Sequence, residues 1–536
     1  MNFDISYLIE KAQNGDVEAQ SELGDYYYNS NDVKQDYKEA VHWYKKAAKQ
    51  GNAKAQFALG RCYHKGHGIE QDYEKAVHWY KKAAEQGDVY AQNSLGNCYY
   101  YGHGVEQDYE QAIFWLKKVA EQGDADAQNN LGACYYDGEG VEQDYEKAVH
   151  WYRKAAEQGN AKAQYNLGFC YYDGKGVEQD YKQAVFWARK AAEQDNADAQ
   201  VLLGIFYYYG HGVEQDYKEA VHWYKKAVEQ EDAKAQDCLG VCYYFGNGVE
   251  QDYEKAVHWY RKAAEQGDAG AQNNLGRCYC FGHGVEQNYD EAFKWFKKAA
   301  EQDYAPAQFD LGRCYSFGYD VEQDYEKAVH WFKKAAEQDY APAQHALGDC
   351  YYKGHGVEQD YKEAVHWYKK AVEQEDAKAQ DCLGVCYYFG NGVEQDYKQA
   401  VFWFKKAAEQ DCDYAQHALG NCYYEGHGVE QDYKQAVFWF KKATEQEYAN
   451  AQDSLGDCYY KGHGVEQDYK EAVHWYKKAA EQDNGCAQRN LGNCYLLGAG
   501  VPQDEEKAKM WHDKAKENGC EFDEELLQEM KKAFNP

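Results

Sequence analysis

A single interval governs this chain. Leu-Gly pairs fall at Leu23-Gly24, Leu59-Gly60, Leu95-Gly96 and onward to Leu491-Gly492, always 36 residues apart and with no insertion. All 14 tryptophans keep the same period, from Trp43 to Trp511. A fixed period in this range marks an array of supersecondary units. It overrides the several-domain organisation that 536 residues would otherwise suggest. Phased from Val17 to Cys520, the array holds fourteen units, with a 16-residue segment at each end.

Each unit reads as two helices. In residues 53–88, Ala55, Leu59, Cys62 and Tyr63 recur at helical spacing in the first half. Tyr73, Ala76, Val77, Tyr80, Ala83 and Ala84 do so in the second, again on one face. No segment alternates with period two, so strands are not expected. Gly66 stands where the first helix (helix A) should stop, because glycine takes a left-handed cap without a Cβ penalty. Asp72 stands as the N-cap of the second (helix B). Thirteen units have Asp there and one has Asn288, which caps equally well without the charge, so capping explains the position better than acid chemistry. Gly87 closes helix B, yet Asp195 and Glu231 replace it elsewhere, and strained or different helix ends are expected in those units. Gln56 and its thirteen counterparts never vary, for which the sequence offers only an inter-repeat hydrogen bond.

One such hairpin cannot bury enough surface to fold alone, whereas stacked hairpins share a continuous core. The sequence therefore predicts an all-α fold, an α/α superhelical solenoid of about fourteen helix–turn–helix repeats spanning 17–520. Tyr7 to Asp16 resembles the tail of a helix B, so 1–16 is expected to be an N-terminal capping half-repeat. Phe522 to Phe534 reads as a charged helix, so 521–536 is expected to be a C-terminal capping helix. Residues 210–253 and 354–397 are identical and lie four repeats apart, which points to growth by segment duplication.

Charge narrows the partners. With 59 basic and 91 acidic residues the formal net charge is −32, a surface that repels phosphate backbones and anionic membranes. Neither nucleic acid nor membrane insertion is expected, the latter because no run of about 18 apolar residues exists. The first residues carry no basic region followed by an apolar stretch, so no secretory signal is expected. The expected location is cytoplasmic, and export by a signal-less route is compatible with the same sequence.

The pattern Ala-x-Ala-Gln-x-x-Leu-Gly-x-x-Tyr, then Gly-x-Gly-Val, then Ala-x-x-Trp-Tyr-x-Lys-Ala-Ala, resembles the Sel1-like repeat family, relatives of the tetratricopeptide repeat. The match covers 17–520 in register. The resemblance implies an α/α superhelix that serves as an adaptor or scaffold for protein complexes. One cysteine-rich bacterial branch carries paired cysteines and is linked to β-lactam binding or hydrolysis, which makes a β-lactamase-like hydrolase the alternative function. This sequence departs from that branch. Twelve of its 18 cysteines occupy one position per repeat, as at Cys62, Cys98, Cys134 and Cys170, and no second regular cysteine accompanies them. Equivalent cysteines of adjacent repeats are expected to lie beyond the roughly 7 Å Cα limit for a disulfide. Free buried thiols follow, and they favour a reducing compartment.

Comparison among the repeats locates a candidate ligand face. Four positions of helix A vary while their neighbours hardly change: Lys162, Tyr165, Phe169 and Asp173 in one repeat, a single helical stripe. The equivalent stripe lines the concave surface of tetratricopeptide-like arrays, where peptides or helices dock. Tyr165, Phe169, Val201, Ile205, Tyr209, Val241 and Phe245 make its middle apolar, and Phe281 and Phe317 extend it. These nine residues are the expected protein-binding site, against the plainer reading that they pack between adjacent helices A. Further along, Asp349, Asp381, Asp453 and Asp457 turn the stripe acidic.

Chemical functions find little support. Eight histidines precede Trp, as at His42 and His78, but Phe114, Phe186, Phe402 or Lys294 take their place elsewhere, and a ligand does not exchange with Phe. A second set, His67, His103 and His211, exchanges with Glu139, Asn247 and Ala499, as suits an exposed turn. No His-Glu-x-x-His or Cys-x-x-Cys occurs, and neither metal nor cofactor is expected. None of the six serines lies in Ser-x-x-Lys or Gly-x-Ser-x-Gly. An enzymatic role would have to rest on irregular residues, namely Cys280, Cys412, His345 and His417. The expected molecule is a non-enzymatic, monomeric binder of a protein or peptide.

Overall fold

A computed structural model describes residues 5–29 and 36–520. Among them are 29 helices, from Ile5–Gln13 to Glu505–Glu517, and no strand. The expected capping helix at Phe522–Phe534 lies outside the described residues. The array divides into two compact units at Gln266 and Gly267, so that repeats 1–7 belong to the first and repeats 8–14 to the second. Each unit is an α/α solenoid in which every helix packs on its chain neighbours.

The punctuation of each hairpin is local chemistry. In repeat 2, helix A runs Ala53–Lys65 and helix B runs Tyr73–Glu85. Gly66 takes the left-handed conformation at φ 71°, and its N–H donates to the Cys62 carbonyl, closing orphan carbonyls at the helix end. The Asp72 carboxylate accepts from the Lys75 N–H, and Asn288 accepts from the Glu291 N–H in the same way. Helix A has its own cap, Asn52 here, whose side chain accepts from the Ala55 N–H. In four repeats that residue is Tyr304, Tyr340, Cys412 or Tyr448, which make no side-chain cap bond. Where Gly87 is replaced, the backbone does not change course: Asp195, Glu231 and Glu447 hold φ of 60–62°. A non-glycine residue there carries a Cβ against its own carbonyl, a strain of about 1 kcal/mol per site.

The invariant glutamine proves to be the pin between layers. Gln56 Nε2 donates to the Ala48 carbonyl at the end of the preceding helix B, 3.1 Å away, while its Oε1 accepts from Gln86 Nε2 of its own helix B at 2.6 Å. One side chain thus ties three consecutive helices. The same pair of bonds recurs at Gln164, with the Ala156 carbonyl and Gln194. Gln20 reaches back to the Ala12 carbonyl of the first helix, Ile5–Gln13. The Nε2 bond also forms at Gln92, to the Ala84 carbonyl, although its Oε1 is buried without a partner; a long amide that can donate to one helix and accept from another suits this position. Within the hairpin, Gly60 lets the helices approach: a Cβ there would stand 2.6 Å from the Tyr80 ring.

Candidate protein-binding face

The stripe on helix A splits into two kinds of residue. In the first unit it rises through the helices Ala161–Asp173, Ala197–Tyr209 and Ala233–Phe245. Tyr209 and Phe245, at the thirteenth helix position, are 61% and 62% exposed. In the second unit Phe281 and Phe317, at the same position, are 55% and 58% exposed. The last buried residue of these helices is three positions earlier and the next residue is the cap glycine, so the thirteenth ring touches only sequence neighbours, as Tyr209 stacks on His211 at 5.6 Å and Phe281 on His283 at 5.8 Å, and leaves its other face open. Tyr165, Phe169, Ile205 and Val241, at the fifth and ninth positions, are half-buried. Tyr165 leans on the cluster around Leu203 and Phe206, and Ile205 on the cluster around Tyr224 and Leu239. Val201 corrects the sequence reading. It is 3% exposed and clusters with Ala227 and Ala235, so it belongs to the core.

The reason is a contact that spans two repeats. The fifth and ninth positions of one helix A face the sixth position of the next. Asn130 Nδ2 donates to Asn97 Oδ1 at 2.9 Å, and Asn166 Nδ2 to Asn129 Oδ1 at 3.0 Å. Arg277 Nε donates to Asp310 Oδ2 at 2.7 Å, and His417 Nε2 meets Ser454 Oγ at 3.1 Å. Val201 and Ile205 meet Cys238 instead, an apolar version of the same triangle. Sequence reading missed these triangles, although the signal was present as matched polar pairs 33 or 37 residues apart.

In the second unit the stripe forms a groove of about 790 Å³. Phe309, Arg313 and Phe317 of one helix A and His345, Asp349 and Lys353 of the next line it, with Asp376 and Lys378 at the start of the third. The stretch expected to be acidic is largely neutralised. Asp349 accepts from Tyr368 at 2.8 Å and pairs with Lys353 at 2.8 Å. Asp457 accepts from Tyr476 at 2.7 Å and pairs with Lys461 at 2.8 Å. Burial, with the Asp457 charge beside it, pushes the Asp453 carboxyl up to about 7.

That shift carries a pH dependence. An unfolded Asp titrates near 4, so the folded state binds this proton more tightly. The associated stability is present below about pH 4 and is lost as pH rises to about 7. Asp453→Asn keeps an acceptor for Asn490 and removes the ionisation. It is expected to stabilise the second unit by about 4 kcal/mol at pH 8 and by nearly nothing at pH 4. Urea denaturation at the two pH values measures the difference, and an effect equal at both would refute the assignment.

The remaining polar residues serve the array. The turn histidines are inter-repeat contacts rather than free turn residues: His67 stacks on Tyr37 at 4.5 Å and its Nδ1 meets the Tyr28 hydroxyl at 2.9 Å. The regular thiols are buried, and burial pushes Cys98, Cys134 and Cys170 up to about 12. Of the irregular residues, Cys412 occupies the N-cap position of helix Asp413–Glu425 without a side-chain cap bond, and burial raises its thiol to about 11. Burial lowers His417 to about 4. Cys280 is half-buried with a raised thiol, so neither it nor Cys412 offers the thiolate that nucleophilic chemistry needs. Among the described residues no helix is long and apolar enough to cross a membrane.

Comparison with known proteins agrees with this architecture. The sequence profile of the Sel1 repeat matches fourteen times, from 17–52, 53–88 and 89–124 through 449–484 and 487–520. A protective antigen present in uropathogenic Escherichia coli strains, whose crystal structure displays an SLR fold, is 39% identical, with 85% of this chain and 97% of that chain covered and a TM-score of 0.57. A Sel1 repeat protein from Oxalobacter formigenes is 34% identical over 58% of this chain and 90% of its own, with a TM-score of 0.44. No curated protein matches. Fourteen in-register profile matches over nearly the whole sequence leave one assignment: the chain belongs to the Sel1 repeat family.

Proposed function

We propose that this protein is a non-enzymatic interaction scaffold that binds a peptide, helix or protein surface on the stripe of its A helices. The observation that carries the reading is the row of exposed aromatic side chains at the thirteenth helix position. Tyr209 and Phe245 project from the first unit, and Phe281 and Phe317 from the second. Within each unit these rings keep more than half of their surface open despite their local ring contacts, and exposed aromatics are the residues that most often anchor a partner. Tyr165, Phe169, Ile205 and Val241 border the row and contribute only their exposed edges, while Val201 supports it from the core. The second unit adds the groove in which Phe309 and Phe317 are flanked by Arg313, Lys353 and Lys378. Buried free thiols support a reducing, cytoplasmic setting, and the strong net negative charge supports a monomer.

The test uses residues outside the core. Replacing Tyr209 and Phe245 together by Glu is expected to abolish capture of partners in affinity purification with mass spectrometry, while the thermal midpoint stays within about 2 °C. Replacing Ile205 is a poorer probe, because it packs on the Tyr224 cluster. Unchanged capture by the Tyr209/Phe245 double variant would remove the first unit's stripe from the reading.

A further inference from the structure

One inter-repeat triangle differs in kind from the others. At the junction of repeats 10 and 11, in the second unit, its corners are His345 and Asp349 of helix Ala341–Lys353 and Cys382 of helix Ala377–Phe389. His345 Nε2 stands 3.6 Å from Cys382 Sγ and 3.7 Å from Asp349 Oδ1, and the sulfur stands 3.9 Å from that oxygen. The other polar triangles named above join an ordinary donor to an acceptor, as in Arg277 with Asp310. Here all three corners are metal-ligating atoms, the one such group found among the described residues.

We propose that His345, Asp349 and Cys382 form a zinc-binding site. The three separations place a point equidistant from all three atoms at about 2.2 Å, the radius that Zn–N, Zn–O and Zn–S bonds of about 2.0–2.3 Å require. Displacing the ion out of the plane of the three atoms leaves a fourth tetrahedral vertex for water or a partner's side chain. One nitrogen, one carboxylate oxygen and one thiolate suit the borderline softness of Zn²⁺. Outer groups already orient the carboxylate, with the Tyr368 hydroxyl on Oδ1 and Lys353 on Oδ2, each at 2.8 Å. His345 and Asp349 line the groove of about 790 Å³, which gives the ion a path in. Of the surrounding charges, Asp376 and Asp381 favour a dication, and Lys353 and Lys378 oppose it. On binding, the metal replaces the Cys382 thiol proton, which passes to solvent.

The chain carries its own control. Cys382 lies in the duplicated segment 354–397, identical to 210–253, where Cys238 is its counterpart. Facing Cys238 are Val201 and Ile205 instead of His345 and Asp349, and they pack as an apolar cluster. The thiol alone therefore belongs to the duplicated framework, and the two other ligands distinguish this copy.

Co²⁺ and Zn²⁺ titrations of the full-length chain test the site. The background carries Cys486→Ser and Cys520→Ser, which removes a thiol pair 3.9 Å apart that could bind metal on its own. One Zn²⁺ per chain is expected, together with a thiolate-to-cobalt charge-transfer band. His345→Val with Asp349→Ile should weaken binding by more than the roughly 100-fold upper effect of losing an outer-shell partner. It should leave the fold intact, because the first unit holds the same residues at Val201 and Ile205. Cys382→Ser should abolish the band. Binding that the double variant leaves unchanged, or a cobalt complex without the band, overturns the proposal.

Discussion

Replacing Arg277 by Ala is expected to destabilise the second unit by about 2–4 kcal/mol. Its guanidinium Nε lies 2.7 Å from Asp310 Oδ2, and Asp310 is 4% exposed. Breaking a buried ion pair from one side strands the other charge, and that stranded charge, more than the lost attraction, sets the cost. Two features hold the effect below the full 3–5 kcal/mol. The Arg277 side chain is 42% exposed, and Arg313 Nη1 approaches Asp310 Oδ1 at 3.7 Å, so a second cation stands ready to take part of the load. The same corner exists in apolar form at Ile205 and Cys238. The double replacement Arg277→Ile with Asp310→Cys should therefore return stability to within about 1 kcal/mol of the parent, since removing both partners leaves no stranded charge. Thermal denaturation of the three variants, with hydrogen exchange read on helix Ala305–Phe317, gives both numbers. A loss under about 0.5 kcal/mol for Arg277→Ala, the level of an exposed pair, would show that Asp310 is better solvated than its burial implies.

That triangle also marks how far the sequence could be read. Helix existence, the Gly66 and Asp72 ends and the 36-residue period depend on residues within a turn or two of one another, so they were legible. The variable stripe was legible as a stripe, because its spacing is a property of one helix. Its division into packing and exposed positions was not, because the partner of Val201 or Arg277 sits one repeat away, at Cys238 or Asp310. The Gln56 bond was expected to cross between repeats, but its acceptor could not be named, because it is the carbonyl of Ala48 and a carbonyl has no signature in sequence. The His345, Asp349 and Cys382 group was obscured by sorting each residue into its own position of the repeat, when the chemistry lies across positions.

Two glycines in adjacent repeats separate conformation from contact, and they set the last expectation. Gly159 ends a helix B at φ 92° with nothing within 4 Å of a built Cβ. Gly176 lies in the turn after helix A at φ 71°, and a Cβ there would meet the Tyr145 carbonyl oxygen at 2.1 Å and its carbon at 2.3 Å. Both positions charge an L-residue for the left-handed conformation, about 1–2 kcal/mol. Only the second adds a collision with the backbone of the preceding repeat, which cannot swing aside as a flexible side chain can. Forcing such a contact in a packed interior costs a further 1–3 kcal/mol, roughly. Gly159→Ala should thus lose about 1 kcal/mol, as the natural Asp195 and Glu231 at that position suggest. Gly176→Ala should lose about 2–5 kcal/mol. In repeat 9 Asp320 occupies the Gly176 position and holds the left-handed conformation at φ 57°. The reverse change, Asp320→Gly, should accordingly stabilise the second unit. Equal losses for Gly159→Ala and Gly176→Ala in urea denaturation would mean that the turn glycine answers only to its own backbone, and that the repeats do not rest on one another at that point.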